Sequence, residues 1–581
     1  MSLPVDPTRN AGIYFAADGY DPKAKGINGR RVAGESFIRG FFRHADVAEF
    51  VSLAPKASDQ ELFAQFAAEE RKGVPVRHVP LRLMPQMAPV QTLFYPSPNF
   101  GAETWRRAPH GAAAWSICGI THTTSTKGVM QGFFDLRMSA QAEWDAVICT
   151  SRAVLASVLH QFERIEDHIR SRFGGAVPPR PQLPVIPLGV DCAAFAPDKA
   201  AGKALRARLG AGPKDVVFAT IARLTPYEKF DPLPLYIALQ AAQARMPKGV
   251  KLHLALCGIY RDDYSKRVFE QGAAGLMPDV GFHVLDGANA ALRKGVLSGA
   301  DVFAFPIDNI QETFGLAPIE AMAAGLPVLV SDWDGMRDTV TPDVGIRVPT
   351  QTLTAAHAEQ EGYRHVTGVD SYTQYCALAS SMTEIEMPAL VAAILALASD
   401  PALRARMGAA GKARAQRLYD WAAVVPQMQD LWQELALRRR AAQGGGQSIA
   451  QTPRAALPVG PSPFALFAAW PSRQGGFALT RFVDAAGPGR LPVAEVLGLR
   501  DYMAMGRQAE RSEDYARTHA AILAAGQAGC DRAALETTLG LNVVQLDRVL
   551  IWLLKYGFIR RQRAGEGQPP PAPPQQGQSR K

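Results

Sequence analysis

Short apolar runs alternate with amphipathic segments along the first 440 residues of the chain. Ten of these runs have the length and the β-branched or aromatic content of strands, namely IYFAA, AEFVSL, QTLFY, WSICGIT, WDAVICTS, VVFATIAR, KLHLALCG, VGFHVL, DVFAFP and PVLVS. Runs that are apolar on both faces and separated by helices favour parallel sheets covered on each side. The first five and the last five therefore predict an α/β fold of two Rossmann-like domains in tandem, with a cleft between them.

Beyond residue 440 this periodic pattern stops. Residues 441–463 combine glycine, proline and polar residues without periodicity and predict a flexible linker, while residues 564–581 contain the run PPPAPP and predict a disordered tail. Between them, residues 464–563 predict a small, mainly helical domain. Most of the formal charge of +9 lies beyond residue 440, because residues 441–581 hold 16 lysines and arginines against 10 acidic residues.

Composition and cysteine content give an expectation for the cellular compartment of the protein. A chain of 581 residues, 47% of them hydrophobic, can bury more than one core. Its amino terminus lacks a charged region followed by an apolar run, and no apolar stretch reaches the length of a spanning helix. The six cysteines have no CxxC or metal-ligand spacing, which is typical of free thiols in a reducing compartment. We therefore expect a cytoplasmic protein.

The stretch QETFGLAPIEAMAAGLPVLVSD carries the main candidate chemistry. It follows the predicted strand DVFAFP, so Glu312 lies in a loop, and the proline after it favours a helix with Glu320 in the first turn. Loop amides near Phe314 and Gly315, backed by the positive end of that helix, predict a site for a pyrophosphate. We expect Glu320 to accept hydrogen bonds from a ribose and Glu312 to face the group on the distal phosphate.

Two cations and a histidine follow other predicted strands. Arg223 and Lys229 stand six residues apart at the end of VVFATIAR and just beyond it, and His122 follows WSICGIT. Two positive side chains can neutralise a diphosphate and the charge that grows on it as it leaves. For each of these residues alone, the alternative is a solvated or purely structural role.

Together these motifs resemble the retaining GT-B glycosyltransferases of glycosyltransferase family 4. ETFGLAPIE matches the family's E-x7-E signature, and AMAAGLPVLVSD, IARLTPYEKFDPL and PVIPLGVDCAAFAP are similar to its neighbouring segments. The resemblance covers residues 12–436 and implies a GT-B architecture, with an acceptor domain in residues 1–195 and a donor domain in residues 196–417. A last helix, residues 418–438, then returns to the first domain and completes it.

The resemblance also implies the reaction. A sugar moves from a nucleotide-diphosphate sugar, the co-substrate, to an acceptor with retention of configuration, and the leaving phosphate takes the acceptor's proton. The implied catalytic residues are Glu312, Arg223, Lys229 and His122. The implied donor-binding residues are Glu320, Thr313, Phe314, Gly315, Gly26, Gly29 and Gly258. We expect no cofactor and no metal, since Arg223 and Lys229 take the place of a cation, and we interpret the DWD sequence at residues 332–334 as unrelated to metal binding.

Near the amino terminus, Gly26 and Gly29 open a helix rich in arginine and phenylalanine. We interpret them as a loop that lets backbone amides approach the donor or the acceptor, although the sequence departs from the usual G-G-x-E form of the family. Two interpretations remain for the helix itself. Phe37, Phe41 and Phe42 pack in the core while the arginines reach outward, or the helix rests peripherally on an anionic membrane at the inner face.

Two further segments set this chain apart. Residues 351–387 are longer than the family's usual connection and either line the acceptor cleft, make an oligomer contact or form a surface excursion. The segment from Cys530 to Gln562 resembles a winged-helix module. Its second helix, with Ile551 and Trp552, is apolar nearly all round, which favours protein contact or dimerisation over DNA binding.

Three functions are therefore compared. The first is a retaining glycosyltransferase whose acceptor is a lipid, glycan, protein or small molecule. The second is an epimerase or phosphorylase acting on nucleotide sugars or sugar phosphates, for which no acid–base pair or cofactor lysine stands out. The third is a DNA-binding regulator that senses a nucleotide sugar, and the intact glutamate pair and basic pair argue against it.

Overall fold

The computed structural model describes residues 6–21, 29–444, 452–485, 491–500 and 509–563. Gly26 and the predicted tail, residues 564–581, lie outside the described residues. The described chain up to Gly460 forms one compact unit, and from Pro461 onward it forms a second.

The first unit contains two six-stranded parallel sheets. The first sheet is formed by β1 (Gly12–Tyr14), β2 (Phe50–Leu53), β3 (Val76–His78), β4 (Thr92–Tyr95), β5 (Ser116–Ile120) and β6 (Ala146–Ile148). The second is formed by β7 (Val216–Ile221), β8 (Leu252–Gly258), β9 (Gly281–Asp286), β10 (Val302–Phe305), β11 (Val328–Ser331) and β12 (Gly345–Val348). Their orders are β3-β2-β1-β4-β5-β6 and β9-β8-β7-β10-β11-β12, so the strand order reverses at β1/β4 and at β7/β10. Two Rossmann-like domains, the predicted GT-B architecture, are thereby confirmed.

Helices connect these strands. They are α1 (Ala17–Tyr20), α2 (Gly29–His44), α3 (Ala57–Glu70), α4 (Gly101–Arg107), α5 (Lys127–Arg137), α6 (Arg152–Phe173), α7 (Lys199–Leu209), α8 (Leu233–Gln243), α9 (Asp263–Leu276), α10 (Ala290–Gly299), α11 (Leu316–Ala323), α12 (Met336–Thr339), α13 (Glu359–Thr367), α14 (Tyr372–Ser381), α15 (Met387–Ser399), α16 (Pro401–Leu418) and α17 (Trp421–Gly444). Short 3-10 segments lie at Pro7–Arg9, Leu81–Val90, Ala108–His110, Cys192–Phe195, Ala355–His357, Arg454–Ala456 and Gly526–Ala528.

Helix α6 shows how the sequence encodes these connections. The Ser151 hydroxyl caps its start by accepting a hydrogen bond from the Val154 amide at 3.1 Å, and Gly174 ends it in the left-handed region at φ 63°. Val154, Val158 and Phe162 are buried at four-residue spacing. The helix therefore buries one continuous apolar face, and its capped start lies at the carboxyl end of β6.

Each sheet has one strand more than the five that the apolar pattern predicts. The missed strands, β3 and β12, lie at the sheet edges. All three residues of β3 are half-exposed, and β12 includes the half-exposed Arg347. Each of these two short strands also contains an arginine, so neither has the continuous apolar run that reveals the others, whereas β6 and β9 at the opposite edges keep such a run.

Helix α17, near the carboxyl end of the first unit, is hydrogen-bonded to residues near its amino end. It spans Trp421–Gly444, so it begins and ends later than the predicted 418–438, and the first four residues of the predicted linker are helical. The Gln429 amide donates to the Arg9 and Asp46 carbonyls at 3.0 and 3.1 Å. Arg439 donates to the Gln91 carbonyl at 2.7 Å. The carboxyl-terminal part of the unit is thus bonded to the first sheet.

Packing around α2 decides between its two interpretations. Phe37, Phe41 and Phe42 are all buried in the core. Arg39 and Arg43 each bind the carboxylate of Glu70, at 2.9 and 2.7 Å. The phenylalanines are therefore core residues, and the helix has no exposed phenylalanine among them to offer a membrane.

The second unit is small and mainly helical. It contains α18 (Pro463–Leu466), β15 (Arg481–Asp484), α19 (Val493–Arg500), α20 (Ser512–Ala524), β16 (Cys530–Asp531), α21 (Arg532–Leu539), α22 (Val543–Lys555) and β17 (Ile559–Arg561), with the strands in the order β16-β15-β17. Trp552 and Leu553 of α22 are buried in the unit's own core, whereas Ile551 is 52% exposed. Part of the apolar character of α22 is thus explained by its own core, and the winged-helix, dimerisation and DNA-binding assignments stay predictions.

Among the described residues, no single helix is long and apolar enough to cross a membrane. Two bent helix pairs pass the test of length and composition when their members are combined, α15 with α16 and α21 with α22.

A buried ion pair holds β5 and β6 together at their amino ends. Arg107 donates to the Asp145 carboxylate at 2.7 Å, and Asp145 also accepts from the Ile117 amide at 2.9 Å. Both charged side chains are fully buried. Removing one partner of such a pair leaves the other charge buried without compensation.

We predict that Arg107→Met lowers the free energy of unfolding by about 3–5 kcal/mol, measured by urea denaturation with tryptophan fluorescence. The matched control is Arg164→Met, since Arg164 pairs with Asp167 at 3.4 Å and both side chains are more than half exposed. That control changes stability by less than about 1 kcal/mol. Equal effects for the two variants contradict the prediction.

Candidate active site at the carboxyl ends of the second sheet

The candidate residues of the second domain meet where the strand order reverses. β7 and β10 are neighbours at this point, and the chain leaves them in different directions. Arg223 and Lys229 follow β7, and Glu312 follows β10. In open α/β sheets, ligands bind in the crevice that opens outside the carboxyl ends of such strands. Arg223 and Lys229 are six residues apart in one loop, and Glu312 is at least 83 residues away from both. The topology therefore brings distant parts of the chain to one place.

The loop after β10 is shaped by its own polar groups. The Asn309 amide donates to the Tyr227 carbonyl at 2.6 Å, which ties this loop to the basic loop after β7. Gly315 then adopts φ 83°, a left-handed conformation that glycine reaches without steric cost, and α11 begins directly after it. Glu320 is thus the fifth helical residue. It lies in the second turn and not in the first, because the helix starts two residues before the proline that the sequence suggested as its beginning.

Lys229 and Glu312 form an ion pair at the centre of this crevice. The Lys229 ammonium donates to one oxygen of the Glu312 carboxylate, and the Gly315 amide donates to the other at 3.1 Å. Burial acts to raise the pKa of Glu312, but Lys229 and the loop amides outweigh it, so the pKa lies below its usual value. Glu312 is therefore a charged carboxylate near neutral pH.

Arg223, which lies at the start of the basic loop, also contacts the loop after β10. Its guanidinium donates to the Gln311 side chain at 2.5 Å and lies 3.6 Å from the Glu228 carboxylate. Both predicted cations thus point at residues 311 and 312, as a shared anion site requires. The predicted amide site differs in one respect. The Gly315 amide already has an acceptor in Glu312, so a diphosphate must compete with this carboxylate for both the amide and Lys229.

Glu320 is the second acidic group of the motif. Burial raises its pKa to about 7, while the positive charges of Arg293 and Lys229 act in the opposite direction. Arg293 is a cation that the sequence analysis missed, and it is held by donating to the Gly287 carbonyl at 2.5 Å. Its position on α10, with no motif around it, left no signal in the sequence.

The remaining predicted donor residues are spread more widely. Gly258 ends β8, where a side chain would meet the Ala222 carbonyl oxygen at 2.1 Å, so close packing alone requires a glycine there. Gly29 opens α2 in the first domain. Within the described part of the chain, neither Gly29 nor Gly258 is hydrogen-bonded to Lys229 or Glu312. Their donor-binding roles stay predictions.

Thr313 and His122 connect the two domains. The Thr313 hydroxyl donates to the His122 carbonyl at 2.5 Å, and the Ser151 hydroxyl donates to the Thr313 carbonyl at 3.0 Å. Phe314 is buried and packs edge-on against Tyr419, with ring centroids 6.2 Å apart. The glutamate loop is therefore bonded on one side to the first domain and on the other to the basic loop.

The sequence DWD, dismissed as a metal clamp, also lies at this crevice. Asp334 has the unusual φ of 38°, and one of its carboxyl oxygens is buried without a hydrogen-bond partner. Burial, reinforced by the nearby Glu312 charge, raises the pKa of Asp334 well above its ordinary value. Among the described residues, no group of three or more histidine, cysteine or acidic side chains is arranged to hold a metal ion. The requirement for a metal is a separate question, which stays a prediction.

Comparison with known proteins bears on the second domain. Residues 203–361 match the family model described as glycosyl transferases group 1. The matched segment includes both members of the basic pair and the whole E-x7-E motif, so the resemblance noted in the sequence is confirmed for this segment.

Two curated relatives each match part of the chain. The first is the GDP-mannose-dependent alpha-(1-6)-phosphatidylinositol monomannoside mannosyltransferase of Mycobacterium tuberculosis strain CDC 1551 / Oshkosh. The chain is 32% identical to it over 183 residues, and this match covers 30% of the chain and 45% of the relative. The chain is 28% identical over 218 residues to the corresponding dimannoside mannosyltransferase of strain ATCC 25177 / H37Ra, which covers 37% and 49%. The chain thus spans about half the length of the curated relatives it matches.

Solved structures with a similar course of the chain have lower identity. Sucrose-phosphate synthase from Thermosynechococcus elongatus is 18% identical with a TM-score of 0.43, over 75% of this chain and 98% of that one. HepE of Anabaena in complex with UDP is 16% identical with a TM-score of 0.45, over 72% and 98%. The fold assignment therefore depends on the two strand orders and not on these likenesses.

The raised pKa of Glu320 predicts a pH-dependent effect of Glu320→Gln. The folded-state pKa of about 7 lies above the value of about 4.3 for a glutamate in an unfolded chain. The charged carboxylate therefore destabilises the native state. This destabilisation is absent below about pH 4 and complete above about pH 7. We expect the variant to gain stability over the parent as the pH rises from 5 to 8, measured by urea denaturation at both values. An equal difference at the two pH values contradicts the assignment.

Proposed function

We propose that the protein is a retaining glycosyltransferase that moves a sugar from a nucleotide-diphosphate sugar to an acceptor hydroxyl. The observation that carries the proposal is the convergence of Arg223, Lys229 and Glu312 at the strand reversal of a segment that matches the glycosyl transferases group 1 model. A crevice with two cations and one carboxylate suits a ligand that is a diphosphate at one end and a neutral sugar at the other.

Each group has a task in this reaction. The bond between the sugar's anomeric carbon and the diphosphate oxygen breaks, and a bond from that carbon to the acceptor oxygen forms. The acceptor's proton passes to an oxygen of the leaving diphosphate. Arg223 and Lys229 stabilise the negative charge that grows on the leaving group, and the charged Glu312 faces the positive charge that grows on the sugar ring. The histidine next to Thr313, His122, would contact the donor sugar from the first domain.

The ion pair between Lys229 and Glu312 fits a site that is ready for a diphosphate. Fixing a cationic side chain next to a ligand costs less conformational entropy when a protein carboxylate already holds that side chain in place. On binding, the diphosphate takes over Lys229 and the Gly315 amide, which releases the Glu312 carboxylate toward the sugar. In this proposal no metal ion is needed, because the two side chains supply the positive charge, and the enzyme acts in the cytoplasm.

The donor is tested first. Both relatives named above are described as GDP-mannose-dependent, so we propose GDP-mannose as the first candidate. A thermal-shift panel of GDP, UDP, GDP-mannose and UDP-glucose, each with and without EDTA, identifies the nucleotide that stabilises the chain. Product analysis with that donor then reports the anomeric configuration. No stabilisation by any nucleotide in a wider panel, or a product with inverted configuration, contradicts the proposal.

Lys229→Met tests the diphosphate contact. A charge-assisted hydrogen bond to an anion contributes about 1.5–3 kcal/mol, so the affinity for the stabilising nucleoside diphosphate falls about tenfold to a hundredfold. The matched control is Lys294→Met on α10, since Lys294 is 54% exposed and pairs with Asp198 at 3.2 Å on the surface. Calorimetric titration measures both variants, and an equal loss in the two refutes the role of Lys229.

Glu312→Ala separates catalysis from binding. The variant loses the carboxylate that faces the sugar, and transfer falls at least about a hundredfold. Its affinity for the nucleoside diphosphate stays the same or rises, because Lys229 and the Gly315 amide no longer bind an internal carboxylate. Steady-state transfer and calorimetric titration are measured on the same preparation. Normal turnover by this variant shows that the loop carboxylate has no part in the reaction.

A further inference from the structure

A cleft of about 510 Å³ opens beside Glu312, on the side of the sheet away from the basic loop. Its second-domain wall comes from residues that follow β10, β11 and β12, such as Glu312, Trp333 and Thr350. Arg223 follows β7, which lies on the other side of β10 in the sheet. The glutamate loop thus separates the cations from the cleft, and Glu312 belongs to both. The volume is within the range of about 300–1,000 Å³ for small-ligand sites.

The lining of this cleft is rich in groups that bind hydroxyls. Six of its side chains are serine or threonine, and they come from both domains, for example Ser125 and Ser157 from the first and Thr352 from the second. Three carboxylates and one arginine add strong acceptors and donors. Two large aromatic side chains, Trp333 and Tyr375, complete the wall. Aromatic faces next to many short polar groups suit a ligand with apolar faces and a polar edge.

Tyr375 belongs to the insertion between β13 (Thr350–Thr352) and β14 (Thr383–Ile385), and the insertion is fixed to the site. Its helix α14 starts with a capping box at Ser371 and Gln374. Three side-chain hydrogen bonds hold the helix in place: Tyr372 with Ser125 at 2.8 Å, Thr373 with Glu228 at 2.6 Å, and Ser380 with Asp308 at 2.7 Å. The first reaches the other domain, the second the basic loop and the third the loop after β10. The insertion is therefore part of the site's architecture.

The orientation of Tyr375 is set in the same way. Its ring stacks on His365 of α13, with centroids 4.2 Å apart and planes within 3°. His365 is buried, so the ring of Tyr375 rests on a fixed support. Trp333 is likewise held, because its indole donates to the Asn309 carbonyl at 3.1 Å. Both aromatic side chains are thus positioned before any ligand arrives.

We propose that this cleft is the acceptor subsite and that the acceptor group it binds is a pyranose ring, held against Trp333 and Tyr375. The proposal rests on the proposed transferase function and names its acceptor class. A pyranose has C–H bonds on its ring faces and hydroxyls along its edge, which matches aromatic rings beside serine, threonine and carboxylate groups. One of its hydroxyls then lies at Glu312, where the donor sugar is expected.

The other acceptor classes fit this lining less well. A lipid chain requires a continuous apolar surface, but hydroxyl and charged groups form more than half of the residues around the cleft. A peptide held in extended form requires unpaired backbone groups at a strand edge. The cleft lies mainly at the carboxyl ends of β10 and β11, which are inside the sheet and paired on both sides, and the one strand that lines it with an unpaired edge, β13, is only three residues long.

The experiment measures binding of three probes to the full chain: methyl α-D-mannopyranoside, methyl α-D-glucopyranoside and methyl α-D-galactopyranoside. Saturation-transfer difference NMR reports binding in the presence of saturating nucleoside diphosphate, without any turnover. The variants are Tyr375→Ala, Trp333→Ala and Tyr375→Phe. The matched control is Tyr363→Ala, since Tyr363 belongs to the same insertion but is 67% exposed and lies away from the cleft.

We expect at least one pyranoside to bind, and we expect Tyr375→Ala and Trp333→Ala to weaken that binding about tenfold. Tyr375→Phe and Tyr363→Ala keep it, because the first retains the aromatic face and the second leaves the cleft intact. Unchanged affinity for the nucleoside diphosphate shows that each variant is folded. Absence of binding for all three probes overturns the proposal, and so does equal binding by Tyr375→Ala, Trp333→Ala and the parent.

Failure of the subsite and failure of the transferase function are distinguishable. If pyranoside binding depends on Tyr375 but no donor is ever turned over, the subsite stands and the function fails. If transfer to a pyranoside proceeds with the same KM in Tyr375→Ala as in the parent, the function stands and the subsite fails. Preferential binding to phosphatidylinositol vesicles, with none to the pyranosides, points to a lipid acceptor and refutes the pyranose assignment.

Discussion

The contact between Lys229 and Glu312 is the interaction on which the rest of the site depends. It joins the chain that leaves β7 to the chain that leaves β10, at the one place where the second sheet reverses its strand order. A charged carboxylate is stable in this buried crevice only because the ammonium and a loop amide offset the cost of its burial. The same bonds hold Lys229 where an anion would need it. The stability of the buried carboxylate and the placement of Lys229 therefore have one physical origin.

A second constraint follows from the position of the glutamate loop between two domains. Thr313 is bonded to the His122 carbonyl and to Ser151, which caps a helix of the first domain. Any relative movement of the domains has to break or carry these bonds. The chain also crosses between the domains at Val190 and Tyr419, and the two crossings are hydrogen-bonded to each other at 2.8 Å. Any such movement therefore involves bonds made by residues directly next to Glu312.

The insertion between β13 and β14 changes how this cleft is to be understood. A connection of that length could have been a surface excursion, but its helix α14 contacts the basic loop, the loop after β10 and the first domain. Glu228 illustrates the consequence, because it accepts hydrogen bonds from Thr373 and Arg261 and lies near Arg223. The insertion therefore influences the basic loop and the cleft together.

The sequence by itself determined the class of the fold and the central members of the site. Central strands buried on both faces must be apolar throughout, so all eight of them were visible as runs. The edge strands β6 and β9 kept apolar runs and were visible too, whereas the edge strands β3 and β12 contain arginine and were not. Arg223, Lys229 and Glu312 were visible because each follows a strand end within a recognisable motif. Positions inside helices were less certain, and Glu320 proved to lie at the start of the second turn of α11 where the first turn was expected.

Only the tertiary structure decided which distant residues meet. Arg293 and Tyr375 gave no motif signal, and Asp334 was visible only as part of the DWD sequence that was set aside, because their positions at the crevice arise from strand order and from packing of separate segments, which no local pattern encodes. The same holds for the Gly315 amide, which looked free in the sequence and is occupied by Glu312 in the folded chain. Local spacing reports what a residue can do chemically. Its partners are set by contacts across eighty or more residues, and these exist only after the sheets have formed.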